Sequence, residues 1–211
     1  MRTDQLIAEL AAAPAPNAHP RLRVVGAMAV GWLVALVGLA VVEGPPMASV
    51  VHTGVAPFAV KLGYSLALAA LSVAAAVAAG SPGHKLSGRI SLIAAPVLLL
   101  LVVALIELGS AERAAWNGML FGSTYWSCFA SVIVASLPVF AGMIWAYRNL
   151  APTQLGVAGF LVGLSAGAAG AVAFALFCHE ATAAFLITAY TPAMLATALL
   201  GALVSRPLLR W

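Results

Sequence analysis

Charged residues are scarce in this sequence. Its 211 residues include 10 Lys or Arg and 6 Asp or Glu, so that only 8% of the chain is charged. A soluble domain has about a quarter of its residues charged, which keeps its surface solvated. The scarcity excludes a soluble globular domain. The hydrophobic content of 64% and the mean hydropathy of +1.07 indicate a protein whose solvent is lipid.

The motifs of common enzymes and transporters are also missing. The sequence has no phosphate-binding loop, no HExxH zinc motif, no CxxC pair and no plausible Ser–His–Asp arrangement. The centres of its apolar runs hold no Asp, Glu, Arg or His. The sequence therefore offers no series of ionisable residues that could relay a proton or bind an ion across a bilayer. A conventional transporter, an enzyme and a quinone-linked thiol oxidoreductase are therefore disfavoured. We predict no enzymatic activity and no resident cofactor.

Six apolar runs are each long enough to cross a bilayer, which takes about 20 helical residues. They predict an all-α polytopic membrane protein, a bundle of six transmembrane helices. The predicted spans are 24–42, 57–79, 90–106, 126–147, 155–177 and 183–204. We predict two regions, an N-terminal segment over residues 1–23 and a transmembrane domain over residues 24–211. Kinks are predicted within three spans, at Pro96, Pro138 and Pro192.

The basic residues predict the orientation of these spans. With the N-terminus in the cytoplasm, Lys85 and every arginine except Arg113 fall on the cytoplasmic side. The outer side instead collects Glu43, Glu107, Glu112 and Glu180. This asymmetry follows the positive-inside rule and predicts that both chain ends are cytoplasmic, in a multi-pass protein of the bacterial inner membrane. Because the net charge of +4 lies at helix ends, no direct nucleic-acid partner is expected.

Lys61 lies about one turn inside the second predicted span. A charge at that depth is costly unless the side chain reaches the interface or finds a partner. Glu43 and Glu107 are predicted at the same outer level. We therefore predict a structural ion pair and not a transport residue.

Residues 1–23 form the only sizeable polar stretch of the sequence. Thr3 or Asp4 can cap a short helix over residues 4–12, which places Leu6, Ile7 and Leu10 on one face. Three prolines then predict an extended linker to the first span, namely Pro14, Pro16 and Pro20.

Small residues recur along the fifth predicted span. Gly159, Gly163 and Gly167 follow one another at four-residue spacing. Such a stripe lets two helix backbones approach closely in a membrane. It predicts a packing face, more readily toward another helix of this chain than toward a second copy.

The sequence has two cysteines, and the predicted topology places both on the outer side. Cys128 lies at the start of the fourth span and Cys178 at the end of the fifth. Antiparallel neighbours could bring the two within the roughly 7 Å between Cα atoms that a disulfide needs. A redox pair and two small apolar residues packed in a bundle are equally open interpretations.

His179 and Glu180 follow the second cysteine directly. Together with Cys128 and Cys178 they could offer thiolate, imidazole and carboxylate ligands to a heavy-metal ion. The plainer interpretation is a polar turn between two spans, because this tripeptide lacks a recognised metal-binding spacing.

These elements occur in one order along the whole chain. Thr3-Asp4-Gln5-Leu6-Ile7 precedes the proline-rich link, and the two cysteines stand fifty positions apart. Cys178-His179-Glu180 is followed by a sixth span holding Tyr190 and by the tail Arg206-Pro207-Leu208-Leu209-Arg210-Trp211. The arrangement resembles the NrsF-like anti-sigma factors, six-span proteins that hold an extracytoplasmic-function sigma factor at the inner membrane.

The resemblance implies that Cys128 and Cys178 serve the response to oxidants or heavy metals. It also implies a sigma-factor partner on the cytoplasmic side, in contact with the segment that contains Thr3, Asp4, Leu6, Ile7 and Leu10. Our hypothesis is that this segment withholds the sigma factor from RNA polymerase until the thiols are oxidised or bind metal. The alternative is a small metal-handling or transport protein that uses Cys128, Cys178, His179 and Glu180.

Overall fold

The computed structural model describes residues 20–46, 48–80, 87–148, 150, 154–180 and 182–208, together with Thr3 and Gln5. This described part of the chain is helical, without strands. Six of its helices are long and apolar enough to cross a membrane, which confirms the predicted fold class.

The helices follow one another in simple order along the chain. They are α1 (Pro20–Glu43), α2 (Ala48–Thr53), α3 (Val55–Ala79), α4 (Ser87–Ser110), α5 (Trp116–Phe121), α6 (Tyr125–Tyr147), α7 (Leu155–Ala175), α8 (Ala183–Phe185) and α9 (Thr191–Leu208). A 3₁₀ turn, Arg113–Ala115, precedes α5, and a π-helical turn, Leu186–Tyr190, joins α8 to α9. The sixth span therefore consists of α8, the π-helical turn and most of α9.

The structure corrects the predicted linker at its last proline. Pro20 is helical and is the first described residue of α1. A proline is tolerated in the first turn of a helix because the N–H that it lacks would have no partner there. Pro14, Pro16 and the amphipathic helix predicted over residues 4–12 lie outside the described residues, apart from Gln5, which is helical and exposed.

The fifth span, α7, is the central helix of the bundle. Within its apolar window, 89% of the residues are buried, against 11% for α4 at the periphery. Helix α7 packs against α1, α3, α6 and α9. More than half of its residues are glycine or alanine, so several neighbours can approach its axis at once.

The glycine stripe of α7 lies against α9 of the same chain. Gly159 faces Gly201 and Ser205, and Gly163 faces Thr197 and Ala198. Further along, a β-carbon built on Gly167 would lie 2.9 Å from the Cα atom of Met194, closer than real β-carbons approach. The two helices run antiparallel and touch backbone to backbone.

Most charged side chains lie near the two ends of the bundle, whose consecutive spans run in alternating directions. Arg89 at the start of α4 donates to the carbonyl of Ala74 near the end of α3. Among the described residues, one end holds Arg23, Arg89 and Arg148. The other end holds Glu43, Glu107, Glu112 and Glu180, and also Arg113 and, deeper in the bundle, Lys61. We call these the basic end and the acidic end. Which end faces the cytoplasm stays a prediction.

Replacing Gly163 by alanine tests the close contact between α7 and α9. A β-carbon there would lie 2.8 Å from the Cα of Ala198, so α9 must move, and we expect a loss of about 1–3 kcal/mol in the free energy of unfolding. Gly156→Ala in the same helix is the matched control, since nothing lies within 4 Å of a β-carbon at that position. Unfolding in mixed detergent micelles measures both variants, and equal stabilities would contradict the contact.

Candidate functional site

Cys128 is held in the first turn of α6. Thr124 precedes the helix, and the Cys128 N–H donates to the Thr124 carbonyl at 2.9 Å. The Thr124 hydroxyl also lies 3.4 Å from the Cys128 sulfur. This turn fixes the thiol at the acidic end of the bundle, where α6 begins.

Cys178 lies three residues beyond the end of α7. Its N–H donates to the carbonyl of Phe174 at 3.0 Å, which keeps the chain close to the helix axis as it turns away. Cys178 therefore stands between α7 and α8, outside the spanning helices, and at the acidic end as well.

The structure brings the two sulfur atoms together, 3.6 Å apart. Both cysteines are free thiols and only 3% exposed. A disulfide bond is about 2.05 Å long, so its formation requires the sulfurs to approach by only a small further step. The pair can therefore hydrogen-bond when reduced and can be joined covalently on oxidation.

Lys61 has a different partner from the one predicted. Its side chain is fully buried, and its Nζ donates to the carbonyl oxygen of Cys178 at 2.8 Å. Glu43 instead accepts from the Ser131 hydroxyl, and Glu107 accepts from the N–H of Ala183. The predicted ion pair with Glu43 or Glu107 is thus wrong. The ammonium group thereby pairs with a buried carbonyl in the segment between α7 and α8.

Glu180 is held by the turn that precedes α6. Its Oε1 atom accepts from the Ser123 N–H and from the Thr124 hydroxyl, both at 3.1 Å. Gly122 has a φ of +54°, and a β-carbon there would lie 2.6 Å from the Glu180 carboxyl carbon. Glycine is required at this turn for its backbone conformation and for the space that the carboxylate fills.

Tyr190 is a site residue whose role sequence reasoning missed. It is fully buried at the end of the π-helical turn, with its ring against Phe174 and Phe185. Its hydroxyl has no hydrogen-bond partner among the described residues, yet it lies near enough to Cys178 to interact electrostatically with the thiol. A tyrosine inside an apolar span was the available signal, since such a hydroxyl needs a polar neighbour.

The surroundings of Cys178 favour its thiolate. The hydrogen bond from the Cys128 thiol is the largest cause that lowers the pKa of Cys178. Burial raises that pKa, while the Lys61 ammonium, the Tyr190 hydroxyl and the Glu180 backbone lower it further. The net direction is downward, because the Cys128 thiol and the nearby Lys61 ammonium together outweigh the effect of burial.

The four predicted metal ligands do not form a single cluster. Within the described part of the chain, no group of three or more His, Cys, Asp or Glu side chains is arranged to hold a metal ion. The Glu180 carboxylate is turned toward Ser123 and Thr124. The thiols of Cys128 and Cys178 thus offer two sulfur ligands, and metal binding stays a hypothesis.

The predicted sigma-factor contacts fall almost entirely outside the described residues. Thr3 is described, and it is helical and exposed. Asp4, Leu6, Ile7 and Leu10 carry no structural description.

Comparison with known proteins identifies relatives over the whole chain. A family described as "NrsF: Negative regulator of sigma F" matches residues 10–211. The "Probable anti-sigma-F factor NrsF" of Azospira oryzae is 35% identical and is aligned over 100% of both chains. The "Anti-sigma-F factor NrsF" of Caulobacter vibrioides is 41% identical over 93 residues, 44% of each chain. No solved structure matches the chain.

The pH dependence of alkylation tests the hydrogen bond between the thiols. Iodoacetamide reacts with the thiolate, so its rate at Cys178 rises through the pKa of that thiol. We expect a midpoint below the value of about 8.5 for a free cysteine, and a higher midpoint in Cys128→Ala, which lacks the donor. Mass spectrometry of the Cys178 peptide provides the measurement.

Val132→Ala is the control for this experiment, because it opens space one turn further along α6 without removing a hydrogen bond. It can raise the alkylation rate at every pH but leaves the midpoint in place. An unshifted midpoint in Cys128→Ala would contradict a hydrogen bond from Cys128 that stabilises the Cys178 thiolate.

Proposed function

The chain belongs to the family of negative regulators of sigma F, and we propose that it is a membrane-bound anti-sigma factor. In this proposal it holds an extracytoplasmic-function sigma factor at the bacterial inner membrane. It releases that factor when the pair formed by Cys128 and Cys178 is oxidised. The observation that supports the sensing step is the distance of 3.6 Å between the buried sulfurs of Cys128 and Cys178, which belong to different elements of the bundle.

The proposed orientation places the thiols where oxidants arrive. They lie at the acidic end, whereas Arg23, Arg89 and Arg148 lie at the basic end. The positive-inside rule favours a cytoplasmic basic end and hence a periplasmic acidic end. Disulfides persist in that compartment and are rare in the cytoplasm.

Oxidation can act on the bundle because the two thiols belong to different packing elements. Cys128 is part of α6, and Cys178 continues from α7, the most buried helix. A cross-link would hold these elements closer at the acidic end. A release mechanism needs a coupling free energy of only about 1–3 kcal/mol, and disulfides contribute about 2–4 kcal/mol.

The N-terminal segment is the proposed docking site for the sigma factor. Residues 1–12 precede α1, whose Val24 is buried with Met143 and Tyr147 in a hydrophobic cluster at the basic end. A change in packing between α6 and α7 would therefore reach the start of α1 through shared side chains. The predicted apolar face of Leu6, Ile7 and Leu10 supplies a docking surface of the helix-in-groove type.

Oxidation is better supported by the geometry than metal binding as the signal. Structural metal sites with sulfur ligands take about four ligands, and the described residues supply two sulfurs here. A heavy-metal ion that bridges the two thiols remains the second proposal for the inducer, because soft metals select thiolate ligands.

Serine substitutions test the sensing step. In cells that carry the cognate sigma factor and a reporter, Cys128→Ser and Cys178→Ser should each abolish the peroxide-dependent rise in reporter output. Both remove the covalent link while preserving side-chain size. Ser127→Ala, at the exposed neighbour of Cys128, should respond like the natural chain. An unaltered dose response to peroxide and to heavy metal in the cysteine variants would refute thiol sensing.

Deletion of residues 2–12 tests the docking segment. The truncated chain should insert in normal amounts, since its spans are intact, but basal reporter output should rise toward the level without any anti-sigma factor. Immunoblotting of the membrane fraction controls for expression. If repression persists, the loops around Lys85 and Arg148 must bind the sigma factor instead.

A further inference from the structure

The two thiols lie between opposite charges. On one side, the Lys61 ammonium donates to the carbonyl oxygen of Cys178 itself, at 2.8 Å. On the other side, the Thr124 hydroxyl links the Cys128 sulfur to the Glu180 carboxylate, with distances of 3.4 and 3.1 Å. A cation next to Cys178 and an anion next to Cys128 polarise the pair. The shared proton is favoured on Cys128, and negative charge is favoured on Cys178.

The buried hydroxyl of Tyr190 adds to the same asymmetry. It has no hydrogen-bond partner among the described residues, and it interacts with the Cys178 thiol. A donor left unpaired in an apolar interior costs free energy that a thiolate acceptor would recover. The π-helical turn that ends at Tyr190 sets this position, and π-turns are frequent at functional sites.

Burial restricts what can react with these sulfurs. Each cysteine is only 3% exposed, and apolar side chains pack around both. A small, uncharged oxidant can enter such a site, whereas a charged or bulky one must first desolvate. Hydrogen peroxide meets this requirement.

We propose that Cys178 is the nucleophile that attacks a peroxide, that Cys128 is the resolving thiol, and that Lys61 and Tyr190 are the positioning residues of Cys178. This inference rests on the proposed function and names the chemistry of its sensing step. The groups that face Cys178 from other elements are Lys61 from α3, Cys128 from α6 and Tyr190 from the π-helical turn. His179 and Glu180 follow it directly in the sequence.

The reaction has two steps. The Cys178 thiolate attacks one oxygen of hydrogen peroxide, the O–O bond breaks, and hydroxide leaves as the sulfur becomes a sulfenic acid. The Cys128 sulfur then attacks the Cys178 sulfur, the S–S bond forms, the S–O bond breaks, and the hydroxyl leaves with the Cys128 proton as water. Two thiols lose two electrons in total, and peroxide accepts them.

Trapping of the sulfenic acid with dimedone tests the assignment in the purified full-length protein. Cys128→Ser lacks the resolving thiol, so peroxide should leave a sulfenic acid on Cys178 that dimedone labels. Cys178→Ser retains only the less reactive thiol and should be labelled at least about 10-fold more slowly, the effect of one pKa unit. Equal labelling, or faster labelling of Cys128, would overturn the assignment.

The positioning residues are tested by the rate of disulfide formation with peroxide as a function of pH. Lys61→Met and Tyr190→Phe should each lower the rate at neutral pH about 10-fold and move the midpoint to higher pH, whereas Lys61→Arg should restore both. Tyr190→Phe keeps the ring contacts with Phe174 and Phe185. Tyr147→Phe is the matched control, because Tyr147 is also fully buried but donates to Ala76 at the basic end.

Unchanged rates and midpoints in both Lys61→Met and Tyr190→Phe would overturn their roles. These measurements use no sigma factor, so their outcome is separable from the proposed function. Dimedone labelling of Cys178 together with an unaltered reporter response in the serine variants would leave the nucleophile assigned and refute sigma-factor release.

Discussion

The close approach of α7 to its neighbours is the constraint on which the rest of the structure depends. In lipid, apolar side chains gain little by leaving their solvent, so helices associate through van der Waals contact and through hydrogen bonds. Helix α7 achieves this contact by having little side-chain bulk, and it is the most buried span of the six. Its glycines bring α9 to backbone distance, and Gly170 does the same for α6, where a β-carbon would lie 2.8 Å from the Ser136 nitrogen. Bulkier residues at these positions would separate the helices that hold Cys128, Cys178 and Tyr190 together.

The same dry packing explains why the polar groups at the acidic end are arranged so specifically. A buried ammonium, carbonyl or hydroxyl is costly without a partner. Lys61, which is fully buried, therefore binds the Cys178 carbonyl. Glu180 is partly buried at the edge of this packing and accepts from the turn before α6. Each interaction links segments distant in sequence, and together they surround the thiols. Packing and chemistry are thus coupled, since a change in the sulfurs changes the partners available to these groups.

Different parts of this arrangement were predictable from the sequence to different degrees. The six spans were predictable, because a run of about 20 apolar residues indicates a helix that crosses the lipid bilayer. Topology placed Cys128 and Cys178 at one level on consecutive spans, which left a redox pair and two packed apolar residues equally open. The structure supplies the distance of 3.6 Å between the sulfurs. The partner of Lys61 was not predictable. Every residue has a backbone carbonyl, so the sequence does not tell which carbonyl will be available where α7 ends. Tyr190 was missed because the π-helical turn inserts extra backbone and shifts the faces of the sixth span away from an ideal helical period.

The contact at Gly170 has a mechanical consequence for α6. Gly170 meets α6 near Ser136, roughly midway between Cys128 and Tyr147. Nearer to Tyr147, Gly142 of α6 approaches the backbone of α1, since a β-carbon there would lie 2.9 Å from the Ala27 carbonyl oxygen. A displacement of α6 along its axis would therefore meet backbone atoms on two sides.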